Sequence, residues 1–178
     1  RVLNDDFIAG GGGFPAHPHD NMEIITIPLE GSLQHRDSTG GEGVIRAGDV
    51  QIMSAGTGVQ HSEVNASATE HVKLFQMWIF PKERNITPRY DQRTFSREER
   101  KNNWQIVVSP VKEDDALWIN QDAKLALSEL TAGNTLSYTT SFANNGVYLV
   151  VISGNVEVEG KILGERDAIG ISDSDSFT

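Results

Sequence analysis

Two short clusters in this sequence combine residue types that can bind a metal ion. His17 and His19 flank one proline, and His61 and Glu63 flank one serine. Residues two apart in a β-strand point to the same face, so each cluster aims two ligand side chains in one direction. If the two strands are neighbours, three imidazoles and one carboxylate meet and can hold one divalent ion.

The types of these ligands limit the choice of metal. The chain has no cysteine, so thiolate sites, disulfides and a cysteine nucleophile are excluded together. Nitrogen and oxygen ligands suit Fe(II), Mn(II), Ni(II), Cu(II) or Zn(II). Four protein ligands leave two positions open on an octahedral ion, as a metal that activates oxygen requires. One His-x-His pair is common by chance, but two ligand pairs that each follow a glycine-rich loop favour the metal hypothesis.

Composition excludes several classes of protein. A formal charge of −10 and a pI near 4.9 argue against direct binding to nucleic acid. No apolar run is long enough to span a bilayer, and the first residues do not resemble a signal peptide. We therefore expect a cytoplasmic protein, and we expect it to be a monomer. The chain does not start with methionine, and we expect segments to be missing from both ends.

Short strands separated by glycine turns dominate the chain, which predicts an all-β barrel or sandwich. A faint internal repeat indicates two copies of one barrel. In each copy an apolar strand and a glycine turn precede an aspartate at the start of a new strand. The first copy comprises residues 29–33 and 47–54, and the second comprises residues 152–156 and 165–172.

The predicted domains are an N-terminal metal-binding barrel at 1–92, a linker at 93–103 and a C-terminal barrel at 104–178. A short helix is expected in the linker near residues 96–101, where charged side chains are frequent. No histidine follows His71, so the C-terminal barrel is expected to hold no metal. Both barrels are expected to lack strands at the ends of the chain.

Several stretches of the sequence resemble the pirin family within the cupin superfamily. They are residues 17–23, 29–37, 47–63 and 86–92. The resemblance is closest to bacterial pirin-like proteins of the quercetinase type. It implies two tandem cupin barrels, each a double-stranded β-helix like a jelly roll, with one metal ion, Fe(II) by preference, in the N-terminal barrel.

The resemblance also bears on which glutamate completes the site. The spacing Gly11-x5-His17-x-His19-x3-Glu23 follows the general cupin motif, in which Glu23 would be a ligand. The pirin pattern places the ligand at Glu63 instead, so we select Glu63 and keep Glu23 as a candidate for supporting the ligands by hydrogen bonds.

The two remaining histidines are given other roles. A structural hydrogen bond is expected for His35, with support of the metal ligands as the alternative. His71 lies in a polar stretch of the sequence, and it is expected to be exposed.

The pirin resemblance implies quercetin 2,3-dioxygenase activity, in which a flavonol ring is opened by O₂ with release of carbon monoxide. Glu63 would also accept the proton of the substrate hydroxyl. The alternative is a non-enzymatic, redox-sensing partner of transcription regulators or metabolic enzymes. A third hypothesis is another cupin enzyme, such as an isomerase that uses a redox-inert metal.

Overall fold

The computed structural model describes residues 2–178, and almost all of its regular structure is β-strand. The described residues contain no α-helix, which confirms the all-β prediction. One short 3₁₀ helix, Arg97–Arg100, lies where the sequence predicts a short helix. Within this part of the chain, no helix is both long enough and apolar enough to cross a membrane.

The chain divides into two compact units, of which the first extends to Glu99 and includes Ile106–Leu127. Its strands are β1 (Val2–Ile8), β2 (Gly13–His19), β3 (Glu23–Glu30), β4 (Ser32–Asp37), β5 (Glu42–Arg46), β6 (Asp49–Ser54), β7 (Val59–Asn65), β8 (Val72–Ile79), β9 (Arg89–Thr94), β10 (Gln105–Ser109), β11 (Leu117–Trp118) and β12 (Leu125–Leu127). They form a five-stranded sheet β1-β8-β3-β6-β9, a four-stranded sheet β2-β7-β4-β5 and a three-stranded sheet β11-β10-β12.

The five-stranded sheet is buried on both faces. Strand β3 shows this most clearly, because six consecutive residues from Glu23 to Pro28 are buried. One face carries Ile24, which packs with Met53 and Val59. The opposite face carries Ile25 and Ile27, which pack in another cluster together with Phe95, Val107, Val108, Leu117 and Ile119. Segment 106–127 therefore covers the outer face of this sheet, and the inner face lines the barrel.

The barrel interior contains a polar layer between two apolar layers. Strand β8 passes through all three, since its inward side chains alternate along the strand. Trp78 packs with one apolar cluster, Leu74 belongs to another, and Gln76 lies between them in the chain. Thr26 of β3 and Gln51 of β6 are also buried in the polar layer, where their side chains hydrogen-bond to Glu63. The fold thus holds polar side chains in an otherwise apolar barrel.

The second unit comprises Arg100–Gln105 and Ser128–Thr178. Its strands are β13 (Tyr138–Thr139), β14 (Val147–Val150), β15 (Val156–Val158), β16 (Lys161–Leu163), β17 (Ala168–Ile171) and β18 (Ser176–Phe177). They pair antiparallel as β13-β18, β14-β17 and β15-β16. The two units do not coincide with the predicted domain limits, because residues 106–127 pack with the first unit. The limits 1–92, 93–103 and 104–178 therefore stay a prediction.

Candidate metal centre

The two clusters of candidate ligands lie on paired strands, as the metal hypothesis requires. Strands β2 and β7 run antiparallel, with His17 opposite His61. The register shifts between Phe14 and His17, so β2 carries an irregularity just before its histidines. On β7 every second residue is buried, which turns both His61 and Glu63 inward.

Three imidazoles converge at this point. The ligand nitrogens of His17, His19 and His61 lie within 4.8 Å of one another. The carbonyl oxygen of Pro15 lies 2.8 Å from Nδ1 of His17 and can only accept, so Nδ1 carries the proton and Nε2 carries a lone pair. Nε2 of His61 lies 3.0 Å from that nitrogen. Two nitrogens that bind one ion at about 2.0–2.1 Å are roughly 3–4 Å apart, so the spacing fits a bound metal.

A buried nitrogen without a partner supports the same conclusion. Nε2 of His19 is buried and has no hydrogen-bond partner among the described residues. Burial lowers the pKa of His61 to about 4, with smaller contributions in the same direction from neighbouring histidines, while Glu63 opposes the shift. Burial also lowers the pKa of His19. Neutral imidazole is the form that binds metal ions, so both side chains are suited to the task near neutral pH.

Glu63 is a buried carboxylate surrounded by hydrogen-bond donors. Its side chain accepts hydrogen bonds from Nε2 of Gln76 at 2.6 Å and Nε2 of Gln51 at 3.1 Å. Nδ1 of His35 faces it at 3.9 Å. Burial alone would raise the pKa of Glu63, but His35, His61 and the two amides hold that pKa below its usual value. The carboxylate is therefore charged near neutral pH.

The four predicted ligands, together with His35, fall into two overlapping groups. His17, His19 and His61 form the first, and His35, His61 and Glu63 form the second. His61 belongs to both groups, whereas Glu63 is grouped with His61 and His35 but not with His17 or His19. Three imidazoles next to an anionic carboxylate, with no thiolate, form a donor set that fits a divalent transition metal.

Glu23 lies outside both groups, which corrects its place as a candidate for supporting the ligands. Its Oε2 accepts hydrogen bonds from Oγ of Ser54 at 2.8 Å and from the backbone N of Asn120 at 3.2 Å. The physical reason is its position in β3. Glu23 and Thr26 are an odd number of residues apart, so Glu23 points to the outer face while Thr26 points into the barrel.

The other two histidines differ in burial. His35 is fully buried, and its Nε2 lies 2.9 Å from Oδ2 of Asp37, which matches the structural hydrogen bond expected for it. His35 also faces Glu63 at 3.9 Å, and this proximity is consistent with the alternative role of supporting the metal ligands. His71 lies 3.0 Å from Oε2 of Glu30, and 40% of its side chain is exposed.

Gln76 is a residue of the centre that was not predicted from the sequence. The sequence did contain an indication, because Gln76 is a polar residue in the middle of the apolar strand Val72–Ile79. It lies two residues from Leu74 and from Trp78, so all three side chains share one face of the strand. A polar side chain placed there needs a buried partner, and that partner is Glu63.

Two family models match this chain. The model described as Pirin covers residues 1–79, and the model described as Quercetinase C-terminal cupin domain covers residues 106–178. The quercetin 2,3-dioxygenase of Escherichia coli strain K12 is 42% identical over 178 residues, which are 100% of this chain and 75% of the relative. The pirin-like protein of Caulobacter vibrioides is 42% identical over 179 residues, with 100% of this chain and 76% of the relative covered.

Solved structures agree with these matches. The crystal structure of YhhW from Escherichia coli superposes with a TM-score of 0.94 at 42% identity, covering 99% of this chain and 74% of that one. The structure described as bacterial pirin YhhW in complex with nickel(II) gives a TM-score of 0.91 at 41% identity, covering 99% and 75%. The matches confirm the predicted tandem cupin fold and the resemblance to bacterial pirin-like quercetin 2,3-dioxygenases. The chain belongs to the pirin family.

Proposed function

We propose that this protein is a metal-dependent dioxygenase that opens flavonols such as quercetin with O₂. The observation that carries the proposal is the convergence of three imidazoles beside the buried, charged Glu63. The names of the relatives support the reaction class, since the Escherichia coli relative is a quercetin 2,3-dioxygenase. No contact among residues 2–178 favours the alternative of a non-enzymatic redox sensor.

His17, His19, His61 and Glu63 would hold the metal ion in this proposal. When bound, the ion supplies Lewis acidity toward a substrate hydroxyl and open positions for O₂. The chain orients the ligands, since the Pro15 carbonyl fixes the tautomer of His17. The apolar cluster of Ile24, Met53, Ala55 and Val59 packs at this end of the barrel.

Fe(II) is the metal we propose. The nitrogen and oxygen donors accept several divalent ions, and a bacterial pirin has been crystallised with nickel(II). A reaction with O₂ favours a redox-active ion over Zn(II).

A cavity that is open to solvent lies beside His19. It measures about 470 Å³ and is lined by Pro18, His19, Asp20, Ser38, Gly58, Val59 and Gln60. Cavities that bind small molecules are typically about 300–1,000 Å³. His19 belongs both to this lining and to the imidazole cluster, and for that reason we propose the cavity as the place where a flavonol approaches the centre. Its walls combine apolar and polar side chains, which suits an aromatic molecule that carries hydroxyl groups.

Glu63 is better suited to binding a metal ion than to accepting a proton. Its lowered pKa favours the charged carboxylate, which suits a metal ligand more than a strong base. We therefore propose ligation as its main role and proton transfer from the substrate hydroxyl as the secondary one.

The test is a metal-loading and activity experiment on the purified chain. Protein loaded with Fe(II) is expected to consume quercetin and release carbon monoxide under O₂, and His61→Ala is expected to lose metal and activity together. His71→Ala is the matched control, because this histidine pairs with Glu30 at the surface and should leave both measurements unchanged. An iron-loaded protein that releases no carbon monoxide from quercetin or related flavonols would refute the proposal.

A further inference from the structure

Glu63 is held by two buried glutamines from two different strands. Gln76 donates from Nε2 to Oε2 of Glu63, and Gln51 donates from Nε2 to Oε1. Gln51 is 0% exposed and Gln76 is 6% exposed. A buried carboxamide stays in an apolar barrel only where its polar atoms have partners, and Glu63 is a partner of both glutamines. Nε2 of Gln76 also donates to Oγ1 of Thr26 at 3.3 Å. Glu63 in turn needs donors to remain charged inside the protein.

Trp78 fixes the orientation of the Gln76 amide. Its indole Nε1 lies 2.9 Å from Oε1 of Gln76. The indole N–H can only donate and the Glu63 carboxylate can only accept. An amide between them has one orientation that satisfies both neighbours, and a flipped amide would place oxygen against oxygen and donor against donor. The Trp78 ring also lies edge-on to His19 with centroids 5.0 Å apart, so the same side chain contacts a candidate ligand.

Gln51 has a weaker counterpart in Tyr90. The Tyr90 hydroxyl lies 3.2 Å from Oε1 of Gln51 and 2.6 Å from Oε1 of Gln92. One hydroxyl hydrogen serves these two acceptors, and the shorter distance favours Gln92. The Gln51 amide is therefore less firmly fixed than the Gln76 amide.

We infer that Gln76 and Gln51 are positioning residues that hold the Glu63 carboxylate so that one lone pair stays free for the metal ion. Gln76, which is held by the Trp78 indole, is expected to contribute more than Gln51. A carboxylate offers about four lone-pair positions. The two glutamines fill two of them, and the Thr26 hydroxyl approaches Oε1 at 3.5 Å. Little room is left on Oε1, so Oε2 presents the free lone pair. The inference rests on the proposed function in one respect, which is that Glu63 binds the metal.

The experiment measures Ni(II) binding to the whole chain by titration calorimetry, with Co(II) absorption spectra as a second readout of ligand geometry. Gln76→Leu is expected to weaken Ni(II) binding about 10- to 100-fold, as is typical when a partner of a metal ligand is lost. It should also shift the Co(II) bands. Gln51→Leu should weaken binding less. Trp78→Phe keeps an aromatic side chain, removes the N–H and should cause an intermediate loss, which provides a test if Gln76→Leu does not fold.

Asn120→Leu is the matched control. It removes a buried carboxamide of the same unit whose side chain bonds to the backbone of Glu83, away from Glu63. It is expected to lower Tm and to leave Ni(II) affinity unchanged. Unchanged affinity and Co(II) spectra in Gln76→Leu and Trp78→Phe would overturn the inference, and so would an equal loss of affinity in Asn120→Leu.

The same measurements separate this inference from the proposed function. A wild-type protein that binds Ni(II) but releases no carbon monoxide when loaded with iron overturns only the dioxygenase proposal. A wild-type protein that binds no metal overturns both.

Discussion

Two buried glutamates of the first unit lie on opposite sides of the five-stranded sheet, and their pKa values are shifted in opposite directions. Glu23 belongs to this sheet, and Glu63 reaches its inner face from β7. Glu63 points into the barrel, where amide donors and nearby imidazoles hold its pKa below the usual value despite burial. Glu23 points to the outer face, where burial raises its pKa and the hydrogen bonds from Ser54 and Asn120 only reduce the shift. Within the part of the chain that the structure describes, Oε1 of Glu23 is buried and has no partner.

The difference shows that burial alone does not determine whether a carboxylate is charged. Both glutamates are at most 2% exposed. What separates them is the number and type of donors within reach, because a hydrogen bond to the charged form offsets the loss of hydration. The interior site is built to keep a negative charge, as a metal ligand requires. At Glu23, by contrast, burial of a charged carboxylate destabilises the folded state.

Replacement of each glutamate by glutamine tests this comparison, and the larger effect is expected at Glu63. Glu63→Gln removes the charge and turns one acceptor into a donor that faces the amide of Gln51 or Gln76. We expect Ni(II) affinity to fall by more than about 100-fold, beyond the range for partners of ligands. Titration calorimetry measures this loss.

Glu63→Gln should also lower Tm at neutral pH. A depressed folded-state pKa contributes stability above the unfolded pKa, and that contribution is lost as the pH falls through the folded value. The deficit of the variant should therefore shrink in acid. A variant that keeps wild-type Ni(II) affinity would contradict the assignment of Glu63 as a ligand.

The sequence predicted the residues of the candidate centre better than it predicted their surroundings. Spacing of two residues within a strand is a local rule, so His17 with His19, and His61 with Glu63, could be assigned to shared faces from the sequence. The place of Glu23 could not, because the chain turns between β2 and β3 and parity does not carry across a turn. The packing of Ile106–Leu127 on the outer face is a long-range contact without a local signal.

The hydrogen-bond donors around Glu23 provide the second test. Ser54→Ala removes the hydroxyl that lies 2.8 Å from Oε2 of Glu23, and both side chains are 0% exposed. A hydrogen bond to a charged group is worth about 1.5–3 kcal/mol, so we expect a loss of that order in the free energy of unfolding at neutral pH. Denaturant unfolding measures it. The loss should become smaller once Glu23 is protonated, and a loss that is independent of pH would indicate a cavity effect instead.

The smallest expected effect is a modest gain in stability from Glu23→Gln. An acid whose folded-state pKa is raised above the usual 4.5 contributes stability below the unfolded pKa, and loses it as the pH rises through the folded value. Glutamine has no charge to bury, and its carbonyl oxygen still accepts the hydrogen bond from Ser54. We expect the Tm of the variant to exceed that of the wild type at neutral pH and the difference to vanish in acid. A lower Tm at neutral pH would mean that the charge of Glu23 stabilises the outer face through Arg89, whose guanidinium acts on its pKa in the opposite sense to burial.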